Sequence, residues 1–220
     1  MEFARRGLKI NEGVAVDARL VKSASRPLSN EELRREREKR ERGEADRDKN
    51  GKPIKFRRDL ESGWPVKNGK PHFGLKEHVS VDVNNGFLLA TKVTPASEHD
   101  SKYLPYLTLA SCHTEEAIKK VYGDKGYYGE PNRSFLNLND IEDGIMRKDT
   151  TGAGITEYEV KRNKAISRKR YIVEQYFGLS HLHDRGYVVR FTTIVKNTLD
   201  CMFRQMAFNL LRGVKVLRVT

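Results

Sequence analysis

Along the chain, apolar and polar positions alternate in some stretches and recur every three to four residues in others. Residues 13–23, GVAVDARLVKS, set small and β-branched residues against polar ones at short intervals, which predicts a strand carrying Asp17 and closed by SASRP. From His72, HFGLKEHVSVDVNNGFLLATKVTPAS contains two alternating runs joined by Asn85-Gly86, a pair suited to a type I′ turn, and so predicts a β-hairpin. DSKYLPYLTLASC predicts a helix interrupted by Pro105, and TEEAIKK a short helical piece leading into the strand VYGD. A helix over PNRSFLNLND and a short strand over DGIMRKD follow. After the glycine loop TTGAG come a long basic helix over about 158–183 and a last helix over about 193–211. The last helix carries Ile194, Leu199, Met202, Phe203, Met206 and Leu210 at near-helical spacing. A hairpin continued by alternating strands and helices implies a mixed α/β sheet covered by helices.

One segment fits neither period. LSNEELRREREKRERGEADRDKNGKP opens with a capping box, Ser29 followed by Glu32, and continues with Glu31/Arg35, Glu36/Arg40 and Glu38/Arg42 four residues apart. Leu33 is its only large apolar side chain, so it is expected to form a solvated helix or mobile insertion, with a phosphate-contacting arm as the second reading.

Charge narrows the partners. The 220 residues hold 42 Lys and Arg against 30 Asp and Glu, a net charge of +12, and residues 151–220 contribute 13 basic against five acidic side chains. Such a surface favours a polyanion over an acidic metabolite. Two distant cysteines, Cys112 and Cys201, suggest neither a disulfide framework nor a zinc site. No apolar run reaches the roughly 18 residues that span a bilayer, and the N-terminus lacks a signal-peptide core, so a cytoplasmic, nucleoid-associated protein is expected.

The candidate chemistry lies in carboxylates placed where a core is expected. In VYGDKGYYG an apolar strand runs straight into Asp124, and an unpaired acid near a core costs several kcal/mol. Asp17 sits on a strand of the same kind. In SRKRYIVEQYFGLSHLH, Glu174 lies among Ile172, Val173 and Phe177, with Arg170 four residues before it and His181 seven after it, on one helical face. Acids converging at a sheet centre repel one another unless a divalent cation neutralises them. Mg²⁺ suits such hard oxygen ligands, and two ions about 3.5–4 Å apart serve phosphoryl transfer.

GVAVDARLVKS, FGLKEHVSVD, TPASEHDS, VYGDKGYYG, RYIVEQYFG and KNTLDCMFRQMAFNLL together resemble, in order, the blocks of bacterial and archaeal insertion-sequence transposases of the IS-five group, within the IS-four-like DDE superfamily. The resemblance runs from about Leu8 to Leu211. It implies a ribonuclease-H-like fold, with Asp17, Asp124 and Glu174 as catalytic and metal-ligating triad. Two Mg²⁺ ions, for which Mn²⁺ can substitute, would serve DNA cleavage and strand transfer. Of the superfamily's Tyr-x(2)-Arg-x(3)-Glu-x(6)-Lys signature, Arg170 and Glu174 match, whereas Ser167 replaces the tyrosine and His181 the lysine. Arg170, His181, Lys76, Lys196 and Tyr127 are candidate contacts to DNA, with snorkelling surface groups as the alternative for the last three.

By this resemblance residues 1–28 are the lead and first catalytic strand, 29–70 a charged insertion, and 71–220 the remainder of the core. The implied partners are double-stranded DNA, both element ends and target, and a second copy in a homodimer. Family members carry an N-terminal helical region ahead of the first block, which implies either a truncated copy or a separately encoded N-terminal region. An inactive DNA-binding remnant and a structure-specific nuclease are the alternative functions. HLHD and CHTEE lack zinc-ligand spacing. Trp64 is expected to pack rather than stack on a base, Asp82 to end a strand, and Asp100 to cap a helix, while His78 is a further candidate contact.

Overall fold

The computed structural model describes residues 12–44, 47–52, 54, 58–112, 118–150, 152–184 and 188–218. In chain order the elements are β1 (Val14–Lys22), α1 (Asn30–Glu41), β2 (Val66–Lys67), β3 (Lys70–Pro71), β4 (Gly74–Asp82), β5 (Leu88–Pro95), a 3₁₀ turn (Asp100–Tyr103), α2 (Leu104–Ala110), β6 (Lys120–Gly123), a second 3₁₀ turn (Lys125–Tyr127), α3 (Glu130–Leu138), β7 (Glu142–Ile145), α4 (Glu157–Asp184) and α5 (Ile194–Arg218). Five strands form one sheet in the order β5-β4-β1-β6-β7, while β2 and β3 pair separately. The hairpin β4-β5 is antiparallel to β1, whereas β6 and β7 run parallel to it. This is a ribonuclease-H-like mixed sheet.

Alternation along β1 sorts its side chains between two layers. Val14 and Val16 pack with Leu104, Leu107, Tyr127 and Leu136 beneath α2 and α3. Ala15 packs with Val79, Val81, Val173 and Tyr176 beneath α4, and Phe208 of α5 joins them. A strand covered on both faces cannot place a carboxylate in bulk water, so Asp17 is half-buried at the sheet centre.

The hairpin forms, but its turn is not type I′. Its loop has Gly86 at φ 72° as its left-handed residue, and Asn85 is not left-handed. Asp82 closes the loop instead: Oδ2 accepts from the Asn85 amide at 2.6 Å, and its carbonyl accepts from Gly86 at 3.0 Å. A carboxylate cap and one glycine thus replace the two positive φ angles of a two-residue turn. Pro105 lies in the first turn of α2, where its missing amide costs nothing, so it starts the α-helix rather than interrupting one. His99, not Asp100, caps the preceding 3₁₀ turn. The helical piece expected at TEEAIKK lies largely outside the described residues.

The charged segment does bury a face. Its capping box forms as expected, yet Leu33 and Glu36 are buried. Leu33 joins Leu28 and Phe73, with Leu60 and Trp64 packed alongside. Trp64 donates to the Leu28 carbonyl at 2.7 Å and packs on Phe73, while Arg37 donates to the carbonyls of Leu60 and Ser62. The ion pairs are Arg34–Glu38, Lys39–Glu36 and Arg40–Glu61 rather than the Glu-to-Arg ladder, because docking turns one side of the helix inward.

The last helix also departs from its apolar stripe. Cys201 and Phe208 face the sheet, and Asn209 bonds both backbone groups of Leu88, donating at 2.7 Å and accepting at 2.9 Å. Leu199, Met202, Phe203, Met206 and Leu210 are left exposed. No helix among the described residues is long and apolar enough to cross a membrane.

Candidate active site

The site forms where β6 stops short of its neighbour. Val14 pairs with Val121 and Ala15 with Tyr122 in the parallel register. Continuing that register by two residues sets Asp17 abreast of Asp124, just past the end of β6. Asp124 caps the 3₁₀ turn, its Oδ1 accepting from the Gly126 amide at 2.8 Å. A Cβ on Gly126 would come within 2.9 Å of that oxygen, so glycine there lets the loop fold tightly under the carboxylate.

Helix α4 lies across this notch in a fixed register. A capping box between Thr156 and Glu159 starts it, and Arg162 donates to the Ile145 carbonyl at 2.7 Å. Asn163 bonds the backbone of Arg147 in both directions. Its buried stripe is Asn163, Ile166, Arg170, Val173, Tyr176 and Ser180, spaced three to four apart. Arg170 is thereby delivered to Asp17, with Nη2 at 2.7 Å from Oδ2.

The electrostatics are those of a cation deficit. Burial pushes the Asp17 carboxyl up to about 6; Arg170 and the Ala18 amide pull against this, while Asp124 and Asp100 add to it. Tyr127, 1% exposed, keeps its ring in the core, and its hydroxyl has no protein partner although it lies in the fields of Asp17, Asp100 and Asp124. Burial, reinforced by those carboxylates, raises its phenol well above the ordinary range.

Two of the three expected acids therefore meet. Glu174 follows Arg170 by one turn but is exposed on the helix flank, as is His181. Among the described residues no three His, Cys, Asp or Glu side chains form a group that could hold a metal ion. The donor chemistry of Asp17 and Asp124 nevertheless fits Mg²⁺, which needs only one or two carboxylates and keeps water and phosphate oxygens for its other positions. The partnerless Tyr127 hydroxyl beside them marks a polar space prepared for a further oxygen.

The other candidates lie at graded distances from this centre. Lys76 is half-buried, its Nζ 2.8 Å from Asp100 and donating to the Glu98 carbonyl at 2.6 Å. Lys196 is exposed near the start of α5. His78 is fully buried, bonded to Thr94 and packed on Tyr103; burial depresses its imidazole to about 4.

Two features escaped the sequence. Asp100, expected only as a cap, opens a 3₁₀ turn that packs against the Lys125–Tyr127 turn and brings a third carboxylate to the notch. Glu77 forms a buried hub, and its signal was available: it shares a strand face with Leu75 and Val79, where a solvent-facing residue is not allowed.

Comparison with known proteins agrees with this arrangement. A family model described as "Transposase DDE domain" matches residues 11–210. The transposase for insertion sequence element IS1106 of Neisseria meningitidis serogroup B is 35% identical over 159 residues, covering 71% of this chain and 52% of that protein. The chain thus spans about half the length of this curated relative.

Proposed function

Since the chain belongs to the DDE transposase family, we propose that it is a transposase catalytic core that cuts DNA at the ends of an insertion sequence and joins them to target DNA. The observation that carries this is the pair Asp17 and Asp124, abreast on two parallel strands at the sheet centre, with the Arg170 helix laid across them. Mg²⁺ held by these two aspartates would activate the attacking oxygen and stabilise the leaving one. Glu174 completes the triad by swinging from the flank of α4 toward the notch when DNA fills it. Arg170 offsets charge developing on the phosphate, and Gly126 leaves room for the backbone to approach. His181 and Lys196, both exposed on basic helices, hold DNA farther out.

Asp124→Asn is expected to reduce cleavage of element-end DNA by about a thousandfold or more while leaving duplex affinity unchanged. Cleavage at the wild-type rate would overturn the assignment. Cut but never joined products would replace it with a nuclease.

The active species is a homodimer joined through α5. Val195, Leu199, Met202, Phe203, Met206, Leu210, Leu211 and Val214 are exposed along a 25-residue helix. Such a stripe is about 37 Å long and matches the roughly 800 Å² per partner of a standard interface. Light scattering should give twice the 25.3 kDa chain mass, and a monomer at working concentration would exclude this interface.

A further inference from the structure

The acids at the notch are held in two carboxylate–cation pairs, and only one of these belongs to the expected site. Arg170 closes on Asp17 at 2.7 Å, and Lys76 closes on Asp100 at 2.8 Å. Asp124 has no side-chain cation; its one bond comes from the Gly126 amide. The Lys76–Asp100 pair is loosely made. The ammonium is aligned on the Glu98 carbonyl, and Asp100 Oδ1 forms no aligned hydrogen bond although it is buried. The buried Nε of Arg170 likewise lacks an acceptor. Three acids, two incompletely used cations and the partnerless Tyr127 hydroxyl therefore converge on one space. The 3₁₀ turn of Asp100 packs directly on the turn that carries Asp124 and Tyr127.

We propose that Asp100 is a further acidic positioning residue of this site and that Lys76 is its exchangeable counter-ion, so that a divalent cation takes over the carboxylate while the released lysine turns to DNA phosphate. Arg170 makes the same exchange at Asp17. Each cation has one partner while the site is empty and another when it is filled, so charge stays balanced in both states. A buried acid is thus never left alone, a condition that would cost several kcal/mol. The consequence is reciprocal: the ion strengthens DNA binding, and DNA strengthens ion binding by the same factor. This rests on the transposase reading, since it concerns the same site.

The test uses the full chain with Ca²⁺ and a short DNA duplex, each affinity being measured with and without the other at fixed ionic strength. For the wild type, saturating Ca²⁺ is expected to tighten duplex binding by about tenfold. Lys76→Gln should weaken duplex binding and tighten Ca²⁺ binding, each by about threefold. Asp100→Asn should do the reverse, because it frees the lysine and removes a charge that attracts the ion. Opposite signs are the signature, since a pair that merely stabilises the fold would move both affinities in one direction. Shifts of one sign, or none, in both variants would overturn the proposal and leave the transposase reading standing. A wild-type chain that bound neither Ca²⁺ nor duplex would overturn both.

Discussion

Two buried carboxylates lie on the same face of the sheet and are treated in opposite ways. Glu77, 1% exposed, sits directly across from Arg19 in the β1-β4 register and receives two bonds from its guanidinium, at 2.9 and 2.7 Å. Tyr176 and Cys201 each donate to its other oxygen at 3.1 Å, and Arg204 lies 3.6 Å away. Burial alone would raise this carboxyl, but the two arginines and the donors bring it below its ordinary range. Asp17, one residue pair along the sheet face, has one arginine and one amide, and two acids repel it, so its carboxyl stands at about 6. The saturated hub has nothing left to offer a ligand. The starved notch gains from any cation, and that difference separates a structural carboxylate from a functional one.

Breaking the hub should have the largest effect on stability. Glu77→Ala leaves Arg19 and Arg204 buried without their counter-charge and is expected to cost about 3–5 kcal/mol in urea unfolding. Asp124→Asn removes a charge from a site that already has too many, so its stability should stay within about 0.5 kcal/mol of wild type. Equal losses in the two variants would erase the distinction.

The sequence disclosed the sheet and its central pair better than the surroundings. Strand alternation and the VYGD lead placed Asp17 and Asp124 on elements whose pairing needed only the strand order. Helical spacing put Arg170 and Glu174 on one flank. What spacing does not contain is the choice between them: the helix turns Arg170 inward because Asn163, Ile166, Val173 and Tyr176 define the buried stripe, and Glu174 falls just beside it. Asp100 was hidden because its approach depends on two short 3₁₀ turns meeting, a tertiary contact without a local period. In the charged segment, composition outweighed the one apolar side chain, Leu33, that decides where α1 docks. Along α5 the reverse held, since the most regular apolar stripe is the face left exposed and two amides, Gln205 and Asn209, fasten the helix to β5.

Asp82 sharpens the comparison as a third buried acid, one with no arginine at all. Fully buried at the end of β4, it accepts the Asn85 amide on Oδ2 and leaves Oδ1 without a partner. Burial raises its carboxyl to about 6, against the hydrogen bonds from Asn85, Asn84 and Gly86, which lower it. A carboxyl whose folded value exceeds its unfolded value contributes stability that is fully present below about pH 4 and is lost as the pH climbs through about 6. Asparagine imitates the protonated form at every pH. The stability of Asp82→Asn relative to wild type should therefore be more favourable at pH 8 than at pH 4 by about 2 kcal/mol. Thermal unfolding of both proteins across that range measures this difference. A flat profile would mean that Asp82, like Glu77, has all the partners its charge requires.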